Sequence, residues 1–254
     1  MLKTLFVGKN AIWLEETPST NVSAYEMVTM NRLPEGTAVL SKYQTQGRGQ
    51  FRTVWESEHG MNLLVSYVFY PSFLEPRDLF RLNKTLSLGV YDYVKSVVKK
   101  NVTIKWPNDI FIGDKKIAGI LIENSITFSD VNYSIAGVGL NVNQQKFSTF
   151  EVAATSLKLI TRKKTDIEKC FHSLSASLEA RYLQLKEKKF ERIETDYIKA
   201  LYRMNKLSLF RRKGNVFKAR IVNVLDDGKI VLEHESGKLE AFRFKEISFV
   251  METE

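Results

Sequence analysis

The sequence Gln-Thr-Gln-Gly-Arg-Gly-Gln-Phe-Arg-Thr-Val-Trp fills residues 44–55, between two apolar runs at residues 37–43 and 62–70. Both runs have the length and composition of β-strands, whereas the stretch between them has no apolar period. The stretch is therefore predicted to be a loop that joins two strands of one sheet.

Two glycines and an arginine give this loop its chemical interest. Gly47 and Gly49 are expected to adopt backbone conformations that other residues resist, which would turn their amides toward an anion. Arg48 adds a planar set of donors suited to phosphate or carboxylate. The alternative interpretation is a solvated hairpin tip, because so short a motif is weak evidence by itself.

The composition is that of a globular protein. With 254 residues, of which 44% are hydrophobic and 11% aromatic, the chain is long enough for one large or two modest domains with a hydrophobic core. No apolar run is long enough for a signal peptide or a membrane span, so a cytoplasmic protein without a membrane partner is expected. The single cysteine, Cys170, falls on the apolar face of a predicted helix and is expected in the core.

Positive charge is concentrated in one part of the chain. The formal net charge is +9, and residues 158–220 hold 18 Lys or Arg against 7 Asp or Glu. Because this segment lies away from the glycine loop, we interpret it as a docking face, with Arg211, Arg212 and Lys213 as candidate contacts. A nucleic-acid-binding module is the alternative, and steeply salt-dependent binding to duplex DNA would distinguish it. The segment has no recognised nucleic-acid-reading motif, which argues against that alternative.

Hydrophobic periodicity predicts an α+β fold. Ser19 and Thr20 precede the first predicted helix and could simply cap it, and Thr165 with Glu168 forms a potential capping box further along. Helices are predicted around residues 22–28, 79–100, 165–185 and 190–204. Further strands are predicted at residues 102–106, 110–112, 116–123 and 133–142, after a mixed lead-in at 3–14. Because no strand pair needs a crossover helix, a mixed sheet flanked by helices is favoured over a doubly wound parallel sheet.

The composition changes after Asn205. Short strands are predicted at residues 207–210, 217–224, 229–234 and 238–244. They indicate a small β-barrel of about 50 residues. Two domains are therefore expected, a larger one at residues 1–205 and a small C-terminal one at 206–254.

A second unusual string, Lys-Trp-Pro-Asn-Asp, interrupts an apolar strand at residues 105–109. Proline ends strand pairing there, and a plain turn that uses Asn108 and Asp109 is the alternative interpretation. Lys116 opens the following strand, and Gly119 within that strand would let a ligand lie against the backbone.

Gly137 and Gly139 lie inside a later predicted strand, which indicates a bulge or the close approach of another group. Neither this pair nor the pair in the loop has the third glycine of a dinucleotide fold, and no phosphate-binding loop of the Gly-x-x-x-x-Gly-Lys-Ser/Thr type is present. The ordinary nucleotide folds are therefore excluded. The three histidines are far apart on different predicted elements, so a transition-metal centre is not expected.

Several of these motifs recur in a fixed order. They are Ser19-Thr20-Asn21, Gln44, Gly47-Arg48-Gly49, Trp55, Lys105-Trp106-Pro107-Asn108-Asp109, Lys116-Ile117-Ala118-Gly119-Ile120-Leu121, and Gly137 and Gly139 with Asn141. In order and spacing they resemble the biotin protein ligases, over residues 17–143. The Lys-Trp-Pro-Asn-Asp string is the most specific part of the resemblance.

The resemblance implies a fold and an activity. The fold would be a catalytic domain related to class II aminoacyl-tRNA synthetases, followed by a Src-homology-3-like barrel. The activity would be that of a biotin–[biotin carboxyl-carrier protein] ligase, which activates biotin with ATP and Mg²⁺ as biotinyl-5′-AMP and transfers it to a lysine of a biotin carboxyl carrier domain. The N-terminal DNA-binding domain of some relatives is expected to be absent, with no nucleic-acid partner, and a homodimer remains open.

The resemblance also implies site residues. Lys116 is the first choice for the catalytic residue, between the biotin carboxylate and the α-phosphate, together with Arg48. The implied biotin-binding residues are Ser19, Thr20, Gln44, Gly47, Arg48, Lys116 and Gly119. The implied ATP-binding residues are Arg48, Gln50, Trp55, Asn108, Asp109 and Asn141. Mg²⁺ is expected to bind through ATP phosphates and water, without a protein cage.

Lipoate or octanoyl ligases, which share the scaffold, are the nearest alternative. Ser19, Thr20 and Gln44 favour biotin, because they can match the donors and acceptors of its ureido head. The loop also departs from the family pattern at three successive positions, Gln50, Phe51 and Arg52. We therefore expect weaker closure over the adenylate and measurable leakage without the carrier, which Gln50→Arg with Arg52→Gly would reduce.

Overall fold

The computed structural model describes residues 4–49, 53–148 and 152–250, and its centre is a seven-stranded sheet. The strands are β1 (Ala11–Thr17), β2 (Ala38–Gln44), β3 (Leu63–Phe69), β4 (Val102–Lys105), β5 (Asp109–Ile112), β6 (Lys115–Ile126) and β7 (Val131–Leu140). Their order across the sheet is β1-β2-β3-β7-β6-β5-β4. β1 and β2 run parallel, and the other neighbouring strands run antiparallel. The predicted mixed sheet is confirmed.

Helices flank both faces of the sheet. They are α1 (Thr20–Met30), α2 (Leu79–Val98), α3 (Leu157–Thr161), α4 (Ile167–Lys186) and α5 (Phe190–Ala200). In the ranges that the structure describes, no helix combines the length and the apolar character needed to cross a bilayer.

Alternate residues of β3 contribute to two different cores, because successive side chains of a strand point to opposite faces. Tyr67 belongs to the large core that also holds residues of α2 and α4, including the buried Cys170. Val68 belongs to a small core in which Ala24 of α1 is buried. α1 has only 11 residues and does not cover the whole of its side of the sheet. The uncovered part, over β6 and β7, forms the cavity described below.

Some elements differ from the sequence prediction. β1 lies where a mixed lead-in is predicted. It was not predicted as a strand because an edge strand is half exposed and Glu15 and Glu16 interrupt its apolar pattern. α3 is too short to give a periodic signal, and α5 ends at Ala200, before the predicted end at residue 204. α4 is capped by Asp166, whose carboxylate accepts a hydrogen bond from Lys169 N at 3.1 Å, so the capping box predicted from the preceding threonine is wrong.

The C-terminal segment forms a separate antiparallel sheet. Its strands are β8 (Ser208–Arg212), β9 (Asn215–Val224), β10 (Ile230–His234), β11 (Leu239–Phe242) and β12 (Ser248–Phe249), in the order β11-β10-β9-β8-β12. The sheet is consistent with the expected small barrel, and β12 is added to the four predicted strands. The domain boundary at residue 205 stays a prediction.

This C-terminal sheet packs against the seven-stranded sheet beside the Lys-Trp-Pro-Asn-Asp string. Trp106 Nε1 donates to Gly228 O at 2.9 Å, and its ring meets Phe244 edge-on at 5.5 Å between centroids. The buried Lys84 of α2 donates to Val224 O at 3.2 Å. The two sheets therefore meet where the sequence motif lies, and residues of both reach the same cavity.

Candidate active site

A cavity of about 710 Å³ opens between the α1 face of the large sheet and the C-terminal sheet. It brings together most of the sequence-predicted site residues: Ser19, Thr20, Gln44, Arg48, Trp55, Asn108, Asp109, Lys116, Gly119 and Asn141 all line it. Gly47 is buried beside the cavity without lining it. Gln50 lies outside the described residues, as do Phe51 and Arg52, so the expectations for them stay predictions.

Glycines in neighbouring strands make the floor of the cavity. Gly119 of β6 pairs in register with Gly139 of β7, and Gly137 pairs with Leu121. The indole of Trp55 lies on this floor: a Cβ built on Gly119 would be 3.1 Å from the ring, and one on Gly139 would overlap it. The prediction that glycine within these strands marks a close approach is confirmed.

The glycine loop is the base of a hairpin. Gly49 N donates to Thr53 O at 2.7 Å, and Trp55 N donates to Gly47 O at 2.9 Å. Neither glycine has a positive φ, so the expected left-handed backbone is wrong. Glycine is required for space instead, since a Cβ on Gly47 would lie 2.5 Å from Trp55 O. Arg48 between them is exposed and lines the cavity.

At one end of the cavity, buried polar groups are bonded to one another. Thr20 N donates to Gln44 Oε1 at 2.8 Å. The hydroxyl of Ser66, in β3, lies 2.7 Å from Thr20 Oγ1 and 2.6 Å from Asn21 Oδ1. We call Thr20, Asn21, Gln44 and Ser66 the paired end. Ser19 beside it occupies the N-cap position of α1 but makes no side-chain capping bond, so its hydroxyl is not used as a cap.

Sequence reasoning missed three contributors to this end. Asn21 lies in a predicted motif but has no predicted role; Gly137 stands opposite it, and a Cβ there would overlap its amide. Ser66 is fully buried in an otherwise apolar strand, and that isolated polar residue was the available signal. Glu123, at the far side of Asn21, accepts from Asn21 Nδ2 at 2.7 Å.

At the other end of the cavity, buried polar atoms lack partners. Asn141 Nδ2 donates to Thr155 O at 3.0 Å, which directs Oδ1 elsewhere. Among the described residues, Asn141 Oδ1 and Asn108 Nδ2 are both buried without a hydrogen bond. We call these two asparagines the unpaired end. A buried polar group without a partner is costly, so these atoms are suited to meet a bound ligand.

Lys116 lies between the two ends. Its ammonium is 2.8 Å from Asp109 Oδ1 and 5.6 Å from the centroid of the Trp55 ring. The backbone of Lys116 is bonded to the segment at residues 153–155: Lys116 N donates to Ala153 O at 2.8 Å, and Thr155 N donates to Lys116 O at 2.9 Å. The backbone is therefore held in place, and the ammonium has one carboxylate beside it.

The C-terminal sheet also reaches the cavity. Arg211 and Lys213 line it, whereas Arg212 between them pairs with Glu240 at 2.6 Å. The sequence analysis interprets all three as candidate contacts of a docking face; that interpretation stays a prediction, and two of the three also line the cavity. Arg211 and Arg212 face opposite ways because they are neighbours in β8, and Lys213 lies in the turn after the strand.

The residues of the cavity fit a magnesium ion only as part of a larger set of ligands. Within residues 4–49, 53–148 and 152–250, no group of three or more His, Cys, Asp or Glu could hold a metal. Asp109 offers a carboxylate and Asn141 a free carbonyl oxygen, and hard cations prefer oxygen ligands. Magnesium that arrives with a phosphate ligand fits this donor set, whereas a protein cage does not.

The sequence model of the biotin/lipoate A/B protein ligase family matches residues 13–141, which include every sequence-predicted site residue. The chain belongs to this family. The bifunctional ligase/repressor BirA of Bacillus spizizenii is 29% identical over 239 residues, which cover 93% of this chain and 73% of that protein. The chloroplastic biotin–protein ligase 1 of Arabidopsis thaliana is 33% identical over 150 residues, which cover 56% of this chain and 39% of that protein.

A solved structure of the family has the same fold over nearly the whole chain. The biotin protein ligase from Aquifex aeolicus in complex with biotin and ATP matches with a TM-score of 0.80 and 26% identity, covering 96% of this chain and 100% of that one. The resemblance inferred from the sequence motifs is therefore confirmed. The α+β fold class is confirmed as well, because this match includes the C-terminal sheet.

Proposed function

We propose that this chain is an ATP-dependent biotin ligase of the biotin–[biotin carboxyl-carrier protein] type. In its first step, a carboxylate oxygen of biotin bonds to the α-phosphorus of ATP and pyrophosphate leaves, which gives biotinyl-5′-AMP. In its second step, the amine of a carrier lysine bonds to the acyl carbon, AMP leaves, and the amine loses a proton. The complex of the Aquifex aeolicus relative with biotin and ATP supports this assignment.

One observation carries the proposal: the cavity presents a paired end, a lysine and an unpaired end in series along β6. Leu121 lies beside the paired end, Gly119 follows, and Lys116 comes last, next to Asp109. Biotin and ATP present their groups in the same order, with a polar ring, a carboxylate, an α-phosphate and a nucleoside. Each group would meet a part of the cavity of matching chemistry.

The paired end favours biotin over lipoate or octanoate. Thr20 and Gln44, with Ser19 beside them, supply hydroxyl and amide groups at a buried site. A ureido ring has both N–H donors and a carbonyl acceptor to match the donors and lone pairs that these groups have left over, whereas a dithiolane or an alkyl chain would leave those unmatched. Leaving a buried polar group unpaired costs about 1–3 kcal/mol. We therefore propose Ser19, Thr20 and Gln44 as ligands of the ureido head.

Lys116 is proposed as the main catalytic residue. Two anions, the biotin carboxylate and the α-phosphate, must approach each other, and a preorganised ammonium between them stabilises the charge that develops on phosphorus. Arg48, which is exposed on the hairpin, would add a second positive charge once the hairpin closes over the ligands. Gly119 would let the biotin chain lie close to β6.

The unpaired end is proposed to bind the nucleotide. Asn108 Nδ2 can donate to a phosphate or ribose oxygen, and Asn141 Oδ1 can accept from the base or coordinate a cation. Trp55 would cover the nucleoside, and Asp109 would face the phosphates and their Mg²⁺. The ion would arrive with ATP and supply charge neutralisation at the phosphates.

The carrier is proposed to dock near the C-terminal sheet through electrostatic attraction. Reversing the charge of Arg211, Arg212 and Lys213 should raise the KM for the carrier. The three side chains are expected to differ in effect. Arg211 and Lys213 line the cavity, so reversing their charge should also change the KM for ATP, whereas Arg212→Glu should change only the KM for the carrier. Carrier kinetics that do not change between low and moderate salt would count against electrostatic docking.

The deciding experiment is isotopic exchange of pyrophosphate into ATP, measured with and without biotin. A biotin ligase catalyses exchange that depends on biotin, because adenylate formation is reversible. Absence of such exchange contradicts the proposed function. Replacing biotin with lipoate or octanoate in the same assay tests the alternative, and faster exchange with either would reverse the substrate assignment.

A further inference from the structure

The Lys-Trp-Pro-Asn-Asp string is held by a tyrosine that does not line the cavity. Tyr197, in α5, is completely buried, and its hydroxyl donates to Pro107 O at 2.6 Å. Pro107 lines the cavity and precedes Asn108, whose Nδ2 belongs to the unpaired end. From this contact, and resting on the proposed function, we propose that Tyr197 is a positioning residue that sets the backbone of Asn108 and so places its amide for the nucleotide.

The hydrogen bond acts on the one backbone angle that proline leaves free. The ring of Pro107 fixes its φ, so the carbonyl can turn only by rotation about ψ. The six atoms of a peptide unit are coplanar, and the unit that begins at Pro107 ends at the Cα of Asn108. A rotation that moves Pro107 O therefore also moves the Cα from which the Asn108 side chain extends.

Asn108 depends on its backbone, because its donor is not held by a bond of its own. Residues 106–108 connect β4 to β5 and lie beyond the last pair of the ladder, which joins Lys105 to Asp109. Asn108 is buried, and its Nδ2 has no hydrogen-bond partner within the ranges that the structure describes. The bond from Tyr197 therefore supplies a restraint that strand pairing does not provide at this turn.

Tyr197 is itself held in place, as a positioning residue must be. Its ring meets Phe80 of α2 edge-on at 6.3 Å between centroids, and Lys84 Nζ lies 5.7 Å from the ring centroid. Just after α5, Tyr202 N donates to Ile104 O at 2.9 Å, which ties this end of the helix to β4. Because β4 leads directly into the string, the tyrosine and the string are held in the same frame.

The hydroxyl of Tyr197 keeps its proton. Burial raises the pKa of Tyr197 well above its ordinary value, and the nearby carboxylate of Glu194 raises it further. A protonated hydroxyl can donate and a carbonyl can only accept, so the direction of the bond to Pro107 O is fixed. Without this donor, Pro107 O would be buried and unpaired, and rotation toward water in the cavity would relieve the cost. The same rotation would displace Asn108.

Tyr197→Phe tests this role, because it removes only the hydroxyl. Two constants should rise by about 5-fold, the scale of one neutral hydrogen bond: the KM for ATP in biotin-dependent pyrophosphate exchange, and the Kd for α,β-methylene-ATP. The Kd is measured by calorimetry with Mg²⁺ and saturating biotin, and this analogue cannot release pyrophosphate, so binding is observed without reaction. The biotin Kd should not change.

Tyr67→Phe is the matched control. Tyr67 is also completely buried, and its hydroxyl bonds to that of Ser175 at 2.9 Å in the large core, on the other side of the sheet from the cavity. This variant should lose stability in the same way and leave both nucleotide constants unchanged. Measurements well below both melting temperatures keep the two variants folded. Unchanged nucleotide constants in Tyr197→Phe, or equal rises in both variants, would overturn the positioning role.

A double-mutant cycle asks whether Tyr197 acts through Asn108. If it does, Tyr197→Phe should add no further rise to the KM for ATP once Asn108→Ala has removed the amide. Independent contributions would instead multiply the two fold-changes. That result would contradict the inference even if each single variant behaved as expected.

Binding and catalysis are measured separately so that the two hypotheses can fail separately. A wild-type protein that binds α,β-methylene-ATP but shows no pyrophosphate exchange would end the proposed ligase activity and leave the comparison of analogue binding valid. A wild-type protein with biotin-dependent exchange whose nucleotide constants are the same in Tyr197→Phe would keep the ligase activity and end the role of Tyr197. A wild-type protein that does not bind the analogue would overturn both.

Discussion

The two ends of the cavity differ in how their buried polar groups are satisfied. At the paired end, Thr20, Ser66 and Asn21 are already bonded within the protein. At the other end, Asn108 Nδ2 and Asn141 Oδ1 have no partner among the described residues. The paired end is thus shaped before its ligand arrives, whereas the unpaired end gains its hydrogen bonds only from a ligand.

This difference has opposite consequences for stability. A substitution that breaks an existing buried hydrogen bond leaves its partner unpaired and destabilises the fold. A substitution that removes an unpaired group takes away a desolvation cost and leaves stability the same or higher. Stability and affinity should therefore change together at the paired end and in opposite directions at the unpaired end. Four substitutions test this contrast, beginning at the lysine between the two ends.

Lys116→Met should have the largest effect on the reaction. Removing a preorganised charge that acts on the developing charge at phosphorus should lower the adenylation rate by about 100-fold or more. Biotin binding should weaken much less. Single-turnover adenylate formation and calorimetric biotin binding measure the two quantities.

Lys115→Met is the matched control, because Lys115 is exposed on the same strand and its side chain faces the other way. It should leave both quantities near those of the wild type. An equal loss of rate and binding in Lys116→Met would mean that Lys116 only holds substrate, and the catalytic role would pass to Arg48.

Asn108→Ala should separate affinity from stability at the unpaired end. A hydrogen bond to a charged group is worth about 1.5–3 kcal/mol, so the KM for ATP should rise by about 10-fold or more. The biotin Kd should not change, and the melting temperature should stay the same or rise. Asn101→Ala, at an exposed position before β4, is the control. A clear fall in melting temperature would show that Asn108 Nδ2 has a partner in the free protein.

Ser66→Ala should lower stability and biotin affinity together. It leaves Asn21 Oδ1 buried without a donor, which costs about 1–3 kcal/mol in the free energy of unfolding. The biotin Kd should rise by about 10-fold, and the ATP Kd should stay constant. Denaturant unfolding and calorimetry measure these quantities.

Ser134→Ala is the control for this comparison. Ser134 is also fully buried in the sheet, and its hydroxyl donates to Asn124 Oδ1 at 2.7 Å, away from the cavity. It should destabilise the fold without changing the biotin Kd. A biotin Kd that rises equally in both variants would mean that the loss of affinity comes from general loosening of the sheet.

The sequence predicted the unpaired end better than the paired one. Asn108 and Asn141 lie in motifs whose polar residues interrupt apolar strands, which is a strong local signal. Ser66 and Glu123 reach the site only through pairing of β3, β7 and β6, and register between distant strands cannot be read from local spacing. The same limit explains why the position of Arg211 and Lys213 at the cavity was not predicted.

In the glycine loop, the importance of both glycines was predicted correctly, but the physical reason was not. Gly47 and Gly49 were expected for their conformational freedom, but they are needed because Trp55 O and the Thr53 side chain come too close for a Cβ. The hairpin that creates this contact depends on hydrogen bonds between residues on both sides of the loop tip.

Edge strand β1 was missed because partial exposure weakens the apolar pattern on which strand prediction depends.

Trp55→Phe should have the smallest effect and assigns this residue to one of the two ends. The indole lies on the glycine floor between them, and its Nε1 is buried without a partner within the described part of the chain. Phenylalanine keeps an aromatic ring on the floor and removes only that donor. If Nε1 serves the nucleotide, the KM for ATP should rise by about 3-fold, the scale of one neutral hydrogen bond, with no change for biotin. The melting temperature should not fall, because no bond is lost in the free protein.

Trp13→Phe, on the exposed face of β1, is the control and should change neither constant. A rise in the biotin KM instead would place Trp55 with the paired end.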